Sequence, residues 1–411
     1  MNNTADQQAA LDKLSRLKVG ALFMEMGTGK TKVALDLIAE KRHKVDYILW
    51  VCPVSLKYEI KAERQKWHPE LPLDIVGCES IGSSDRIYLE TLRKVENNRT
   101  FIVVDESLKI KNKDAKRTQR IMKLGDNAEY KLILNGTPIS KNLLDLWTQM
   151  QFLSPKILNM SYARFKNTYT EYYLHGRLKG IVKKQHNVEH LISVIKPYIF
   201  DCDLEIAAKK QYIDIPYSMT EAERIDYEEI KYLMLNKYES YEDFNFFELT
   251  QKLQAHFCGC EDKKEKLTEA IDGIEGQVIV YVKYLASIPQ GATAITGEIK
   301  SAERATIIER FKQGESKVLY ITYGCGAYGL NLQFCRNIIF AEHSFDYAQR
   351  IQAEARIYRT GQEHDCIYYN LWCNIGLERL IKKSLDKKIK LLDEVKREIE
   401  QGNIDEFVKK L

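Results

Sequence analysis

The stretch "ALFMEMGTGKTKVAL", residues 21–35, decides the fold, because it joins two different periodicities across a glycine loop. Residues 19–23 ("VGALF") form an apolar run of strand length. From Lys30 onward "KTKVALDLIAEK" has helical spacing, with Val33, Leu37 and Ile38 on one face. Between them stand Met26, Gly27, Thr28, Gly29, Lys30 and Thr31. Glycines let successive backbone N–H groups close around phosphate oxygens, and the helix N-terminus adds its positive dipole end. In such a loop the lysine, here Lys30, reaches the β- and γ-phosphates, and the Thr31 hydroxyl binds Mg²⁺. The strict pattern G-x-x-x-x-G-K-[ST] asks for glycine where this chain has Met24, so the match is incomplete.

A phosphate loop needs a carboxylate for the metal and a group that polarises water. "TFIVVDESLKIKN", residues 100–112, supplies both. Residues 101–104 are continuously apolar, as a central parallel strand requires. Asp105 and Glu106 follow at its carboxyl end, where open α/β sheets bind ligands. Asp105 is the expected Mg²⁺ holder, through water, and Glu106 the expected general base. One helix-length later "ILNGTPISKNLLDLW" ends a further apolar strand at Gly136, Thr137 and Pro138.

The strand-and-helix pattern then recurs without a second phosphate loop. "GQVIVYVKYLASI" (276–288) is expected to be a strand running into a helix, and "KVLYIT" (317–322) and "CRNIIFAEHSF" (335–345) to be two more strands. In "YAQRIQAEARIYRTGQ" (347–362), Gln352, Arg356 and Arg359 are four and three apart. A helix would put them on one face and end at Thr360-Gly361. Arginines offered by one lobe to ATP held by another complete a site only on closure, and such a finger is worth about 10³–10⁵ in rate.

Taken together, these segments resemble a helicase superfamily 2 ATPase and, within it, the SWI/SNF-type DNA translocases. The motifs are "MEMGTGKT", "WVCPVSLKYEI", "VVDESLKIKN", "LNGTPISKNLLDLW", "ITGEIKSAERATIIERF", "ITYGCGAYGLNLQFC" and "QAEARIYRTGQ", in the family's order. The resemblance implies an α/β fold of two tandem RecA-like parallel-sheet lobes with helical insertions, ATP and Mg²⁺ in the cleft, and DNA across both lobes. It makes Lys30, Glu106, Arg356 and Arg359 catalytic, with Arg359 the first choice for the finger. It puts Gly326, Gly329, Asn331 and Gln352 near nucleotide or DNA, and gives Gln7 or Gln8 the adenine, with the choice between them open. By the same resemblance Pro53, Val54, Ser55, Lys57, Thr137, Thr296, Gly297, Tyr323 and Gly324 face DNA. The chain departs from the pattern at Leu108, where relatives carry a histidine that helps couple ATP to nucleic acid. It departs again at Asn135, where Thr or Ser is common, and at Ala327, where a second Gly is common.

Domain limits are expected at 1–200 for the first lobe, with a helical insertion from about 156. The second lobe is expected at 201–375, with an insertion at about 218–270. Over 376–411 Leu377, Ile381, Leu385, Ile389, Leu392 and Ile399 recur at helical spacing, which predicts a C-terminal brace helix.

The composition sets limits of its own. Lys+Arg 62 against Asp+Glu 58 gives a net charge of +4, so the chain is not globally basic. Any nucleic-acid site must then come from local placement of charge, and the resemblance implies backbone contacts without sequence specificity, to duplex or forked DNA. No apolar run approaches the roughly 18 residues of a membrane span. Nine cysteines without a framework spacing read as reduced thiols, and Cys258-x-Cys260 beside His256 is not a usual zinc spacing. The expectation is a monomeric, cytoplasmic motor of a bacterial cell or phage-infected host, a DNA-stimulated ATPase acting as translocase or helicase. The alternatives are an RNA-dependent or restriction-type motor of the same superfamily, and a non-catalytic scaffold that binds ATP and DNA. "DESLKIKN" and "YRTGQ" favour the SWI/SNF side, and intact Lys30, Glu106 and Arg359 weigh against the scaffold.

Overall fold

Five apolar runs in the first 134 residues become parallel strands: β1 (Val19–Met24), β2 (Tyr47–Cys52), β3 (Leu73–Gly77), β4 (Thr100–Val104) and β5 (Tyr130–Leu134). They come from a computed structural model that describes residues 3–136, 143–172, 182–236, 246–326 and 330–386. Helices cover the faces, among them α1 (Ala5–Leu14), α2 (Lys30–Lys41) and α3 (Lys57–Trp67). A short antiparallel pair, β6 (Thr170–Tyr172) and β7 (Val182–Gln185), precedes β8 (Ile199–Cys202), which returns to lie beside β1. The sheet order is β3-β2-β4-β5-β1-β8. Every residue of β4 is buried, as expected for a parallel strand covered on both faces.

The register explains the site. Leu22 of β1 pairs with Leu134 of β5, and Ile133 of β5 with Val104 of β4. The carboxyl ends of three adjacent strands therefore open on one edge, and the glycine loop, Asp105 and Asn135 follow them directly.

The chain divides into two units, Met1–Glu205 and Ile206–Leu411. The second unit has its own six-stranded parallel sheet, in the order β11-β12-β10-β13-β14-β9. Its strands are β9 (Lys210–Tyr217), β10 (Val278–Val282), β11 (Ala294–Ile295), β12 (Val318–Thr322), β13 (Asn337–Phe340) and β14 (Cys366–Cys373). Helices Glu221–Asn236, Phe246–Cys258 and Glu261–Gly273 fill the interval between β9 and β10. The helix Gly376–Asp386 buries Leu377, Leu380 and Ile381 in this unit's core. The expected continuation of that helix, with Ile389, Leu392 and Ile399, lies outside the described residues.

Two expectations are corrected. Residues 283–288 do not continue β10 into a helix; only a 3₁₀ turn, Leu285–Ser287, forms there. The reason is that the N–H groups of Lys283 and Tyr284 both donate to the Glu342 carboxylate, at 2.6 and 2.9 Å. The helix that begins at Tyr347 stops at Glu354, so Arg356 and Arg359 lie beyond it rather than along one helical face. Side chains hold its last carbonyls together with the turn that follows, where the N–H groups of Ile357 and Tyr358 donate to Glu354 O at 3.3 and 3.2 Å. Tyr368 Oη donates to Glu354 O at 3.1 Å, and Arg356 Nε to Gln352 O at 3.2 Å. Among the described residues no helix is long and apolar enough to cross a membrane.

Candidate active site

The loop between β1 and α2 is shaped by two glycines with φ of 87° at Gly27 and 88° at Gly29, a region that residues with a Cβ seldom enter. A Cβ on Gly29 would also collide with Gln7 Nε2. Lys30 opens α2 and turns back over the loop, donating to Met24 O at 2.8 Å and Glu25 O at 3.1 Å. Thr28 Oγ1 donates to Glu25 O at 2.7 Å. These carbonyls keep the ammonium directly over the loop, and Thr31 follows it in the first turn of α2.

The structure separates the two glutamines. Gln7 is buried and its Nε2 donates to Thr28 O at 3.0 Å, inside the loop. It is placed there by a capping box in which the Thr4 and Gln7 side chains exchange bonds with each other's backbone N–H. Gln8 is exposed and bonds Asp12 at 2.9 Å, away from the loop.

Asp105 is buried at the end of β4, and its Oδ1 accepts from the Glu106 N–H at 2.9 Å. Burial first, and then the neighbouring Glu106, push its carboxyl up to about 7, against the pull of Lys30. Glu106 itself has φ 50° and ψ 55°, a left-handed conformation that costs a residue with a Cβ about 1–2 kcal/mol. Strain of this kind persists where surrounding structure over-determines it, commonly at working sites. Gly136 closes the edge: a Cβ there would lie 3.2 Å from Met26 Cγ and 3.7 Å from Lys30 Nζ.

A hydroxyl and a buried carboxylate are hard oxygen donors of the kind Mg²⁺ takes from a protein when phosphates and water supply the rest. Thr31 and Asp105 therefore fit the metal. Among the described residues no group of three His, Cys, Asp or Glu side chains could hold a metal ion. His256 bonds Glu223 O at 2.7 Å, and Cys258 and Cys260 are buried thiols raised above their ordinary value by burial.

The remaining candidates divide. Pro53, Val54, Ser55 and Lys57 follow the end of β2, with Val54 exposed and Ser55 and Lys57 half-buried. In the second unit Thr296 and Gly297 follow β11, Gly324 is exposed after β12, and Asn331 is exposed. Tyr323 is different from the expectation, because its ring is buried and its hydroxyl donates to Glu342 O at 2.8 Å. That side chain is spent on the core. Arg356 donates from Nη1 to Leu330 O at 3.4 Å, which ties the turn after Glu354 to the segment carrying Asn331. Arg359 is half-buried in the same turn, and Gln352 lies on the preceding helix. Thr137 and Gly329 lie outside the described residues, and Gly326 ends the short helix Tyr323–Gly326.

Sequence reasoning missed the buried pair Arg350–Glu354, with Nε to Oε1 at 2.8 Å and Nη2 on Asn370 Oδ1 at 2.7 Å. Its i, i+4 spacing was the available signal.

Comparison with known proteins identifies the family. Residues 11–262 match the model of the SNF2-related domain, and residues 262–361 that of the helicase conserved C-terminal domain. The chain is 24% identical over 89% of its length to a DNA annealing helicase and endonuclease, ZRANB3, of Bos taurus. It is 22% identical over 94% to the transcription regulatory protein SNF2 of Saccharomyces cerevisiae. It is 24% identical over 88% to an uncharacterized ATP-dependent helicase of Mycoplasma pneumoniae. It spans only 38%, 27% and 38% of those relatives' lengths. A solved SWI2/SNF2 ATPase core of Sulfolobus solfataricus in complex with dsDNA aligns over 94% of this chain and 91% of that one, at 21% identity and a TM-score of 0.44.

Proposed function

The chain belongs to the SNF2-related family, and from that premise we propose that it is a DNA-stimulated ATPase that moves along duplex DNA. One observation carries the proposal: Lys30, the Asp105–Glu106 pair and Gly136 follow three adjacent strand ends on one edge of the first unit's sheet. ATP lies on this edge. Lys30 exchanges the carbonyls of Met24 and Glu25 for phosphate oxygens, and the N–H groups of residues 26–29 close around them. Gln7, not Gln8, faces the adenine. Thr31 and Asp105 hold Mg²⁺, which when bound neutralises charge on the phosphates. Glu106 orients the attacking water and takes its proton.

Arg359 and Arg356 of the second unit stabilise the charge on the transferred phosphoryl group, so turnover needs both units. Ser55, Lys57, Thr137, Thr296, Gly297, Gly324 and Asn331 contact DNA phosphates, and binding is therefore not sequence-specific. The protein works as a monomeric motor. A cytoplasmic setting in a bacterial cell belongs to the same proposal, supported by the bacterial origin of one relative.

The test is steady-state ATP hydrolysis without nucleic acid and with single-stranded, duplex or forked DNA or RNA, with Glu106→Gln as the blank. The expected result is strong stimulation by duplex. Stimulation by RNA alone would move the protein to an RNA-dependent motor. ATP binding without any stimulated turnover would make it a scaffold.

A further inference from the structure

The end of α3 carries an ionic network that the phosphate, metal and water chemistry does not use. His68 caps that helix, and both of its ring nitrogens are engaged. Nε2 lies 2.8 Å from Asp36 Oδ1, and Nδ1 lies 2.8 Å from Glu70 Oε1. A carboxylate only accepts and a neutral imidazole has one N–H, so only the imidazolium donates to both. Asp36 belongs to α2, and its other oxygen accepts from Lys32 Nζ at 2.9 Å. The same ammonium donates to Asn3 Oδ1 and stands 5.1 Å from the centre of the Trp67 ring. The side chains of Lys32, Asp36 and His68 are 11%, 16% and 21% exposed, so water only partly screens these contacts.

The network runs from the end of α3, across the helix that opens at Lys30, to the residue before Thr4. Thr4 caps α1 and exchanges bonds with Gln7, whose Nε2 enters the phosphate loop at Thr28 O. Asn3 is therefore the anchor just outside that capping box. When the ring loses its proton it keeps a donor for one carboxylate and turns a lone pair toward the other. The hold of α3 on Asp36 and, through Lys32, on Asn3 then loosens. Gln7 spends less time in the loop, and apparent ATP affinity falls with the fraction of molecules that keep it there.

The charged groups around the ring are Lys32, Asp36 and Glu40 from α2, Glu63, Arg64 and Lys66 from α3, and Glu70 after it. From the side of α1, the uncharged Asn3 and Gln8 line the same cleft. Burial by itself would lower the titration of the ring. The bonds to Asp36 and Glu70 outweigh it and hold the ring above its ordinary value of 6.5. The contribution of the ring is thus complete below pH 6.5 and is lost as pH rises through the raised value.

We propose that His68 is a positioning residue for ATP binding: its imidazolium joins the end of α3 to α2 and, through Asp36, Lys32 and Asn3, keeps Gln7 in the phosphate loop. The inference rests on the ATP site proposed above and adds a pH-dependent hold on it.

The experiment is equilibrium binding of a fluorescent ATP analogue with Mg²⁺ to the full chain, from about pH 6 to about pH 9. The kcat on saturating duplex DNA is measured at both ends of that range. The variants are His68→Arg, His68→Leu and Glu70→Gln. Titration of the nucleotide and of Asp105 is common to all of them, so their differences isolate the ring. Across the range Kd should rise about fivefold more in the unsubstituted chain than in His68→Arg, which keeps its charge and several donors. His68→Leu should bind weakly at both ends. The kcat at saturating ATP should match in all, because Gln7 faces the base and not the reacting phosphate. Glu70→Gln removes one carboxylate and should move the midpoint of the Kd profile to lower pH. Equal profiles for the unsubstituted chain and His68→Arg overturn the inference, and so does a loss in kcat without a loss in affinity. If neither His68 variant folds, Glu70→Gln decides, and an unmoved midpoint overturns the inference. If the unsubstituted chain binds no analogue at any pH, the ATP site fails first and this inference with it. Binding whose pH profile His68→Arg leaves unchanged sinks the inference alone.

Discussion

Asp105 and Glu342 are both buried carboxylates just past the end of a central parallel strand, one in each unit, and the structure treats them in opposite ways. Glu342 is saturated with donors. It accepts from Lys263 Nζ at 2.7 Å, from the backbone N–H of Lys283 and Tyr284, and from the Ser287 hydroxyl. Asp105 receives the N–H of Glu106, and burial first, then the Glu106 carboxylate beside it, push its titration up to about 7. A carboxylate ringed by donors is part of the frame. One left near a lysine and a second acid is ready for a cation and phosphates. Topology alone does not distinguish the two sheets; the donors around the acid at the strand end do.

The sharpest way to break this comparison is to remove charge from the working side. Arg359→Ala should lower DNA-stimulated kcat by about 10³ or more while ATP affinity stays within a few-fold, since an arginine finger acts on the transition state. Equilibrium binding of a fluorescent ATP analogue beside steady-state turnover separates the two effects. A collapse of binding would make Arg359 a ground-state contact. Glu106→Gln should cost about 10²–10⁴ in kcat, the range for a general base, with nucleotide binding and melting temperature nearly unchanged.

The structural side should respond in stability instead. Glu342→Ala leaves the Lys263 ammonium buried without its carboxylate, although Cys258 O still accepts from it at 2.9 Å. The substitution should cost about 3–5 kcal/mol in chemical denaturation. Replacing both partners with apolar residues, Lys263→Met with Glu342→Leu, should recover part of that loss. If Glu342→Ala abolished turnover without loss of stability, the division between frame acid and working acid would be wrong.

The mildest effect is a pH dependence. Burial pushes the Glu378 carboxyl up to about 8, against the Cys373 N–H that bonds it at 3.0 Å. The folded protein then keeps a proton that the unfolded chain releases from its ordinary value of 4.5 upward. The stability from this group is complete below pH 4.5 and is lost as pH rises through about 8, at no more than about 1.4 kcal/mol per pH unit. Unfolding midpoints of Glu378→Gln across that window should show a flatter profile than those of the unsubstituted chain.

How much of the fold and the site is legible from residues alone depends on the distance over which each feature is decided. The glycine loop, the apolar strands and the acid pair are local. Gly27 and Gly29 are needed for backbone angles, and an apolar run is what a strand covered on both faces requires. Features set by partners far along the chain are not legible. Gln7 rather than Gln8 enters the loop because α1 docks with that side inward, 21 residues from Thr28. The helix from Tyr347 ends at Glu354, whose backbone carbonyl accepts from Tyr368 Oη, 14 residues away, and whose carboxylate accepts from Tyr212, 142 residues away. The resemblance puts Tyr323 against DNA, whereas its hydroxyl is bonded inward to the backbone carbonyl of Glu342, 19 residues away.

By itself the sequence determined the class of machine: two parallel-sheet units, a phosphate loop on the first, and arginines on the second. The strands and the loop follow from backbone preference and from the demand of buried strands for apolar side chains, both carried by neighbours in the chain, and the arginines from the resemblance of the motif that carries them. Only the tertiary structure decided that Glu342 is ringed by donors, which glutamine faces the loop, and that Ser107, Asn135 and Gln149 meet. Those outcomes depend on how buried polar groups find partners, and a partner 28 or 42 residues away leaves no periodicity for a sequence to display.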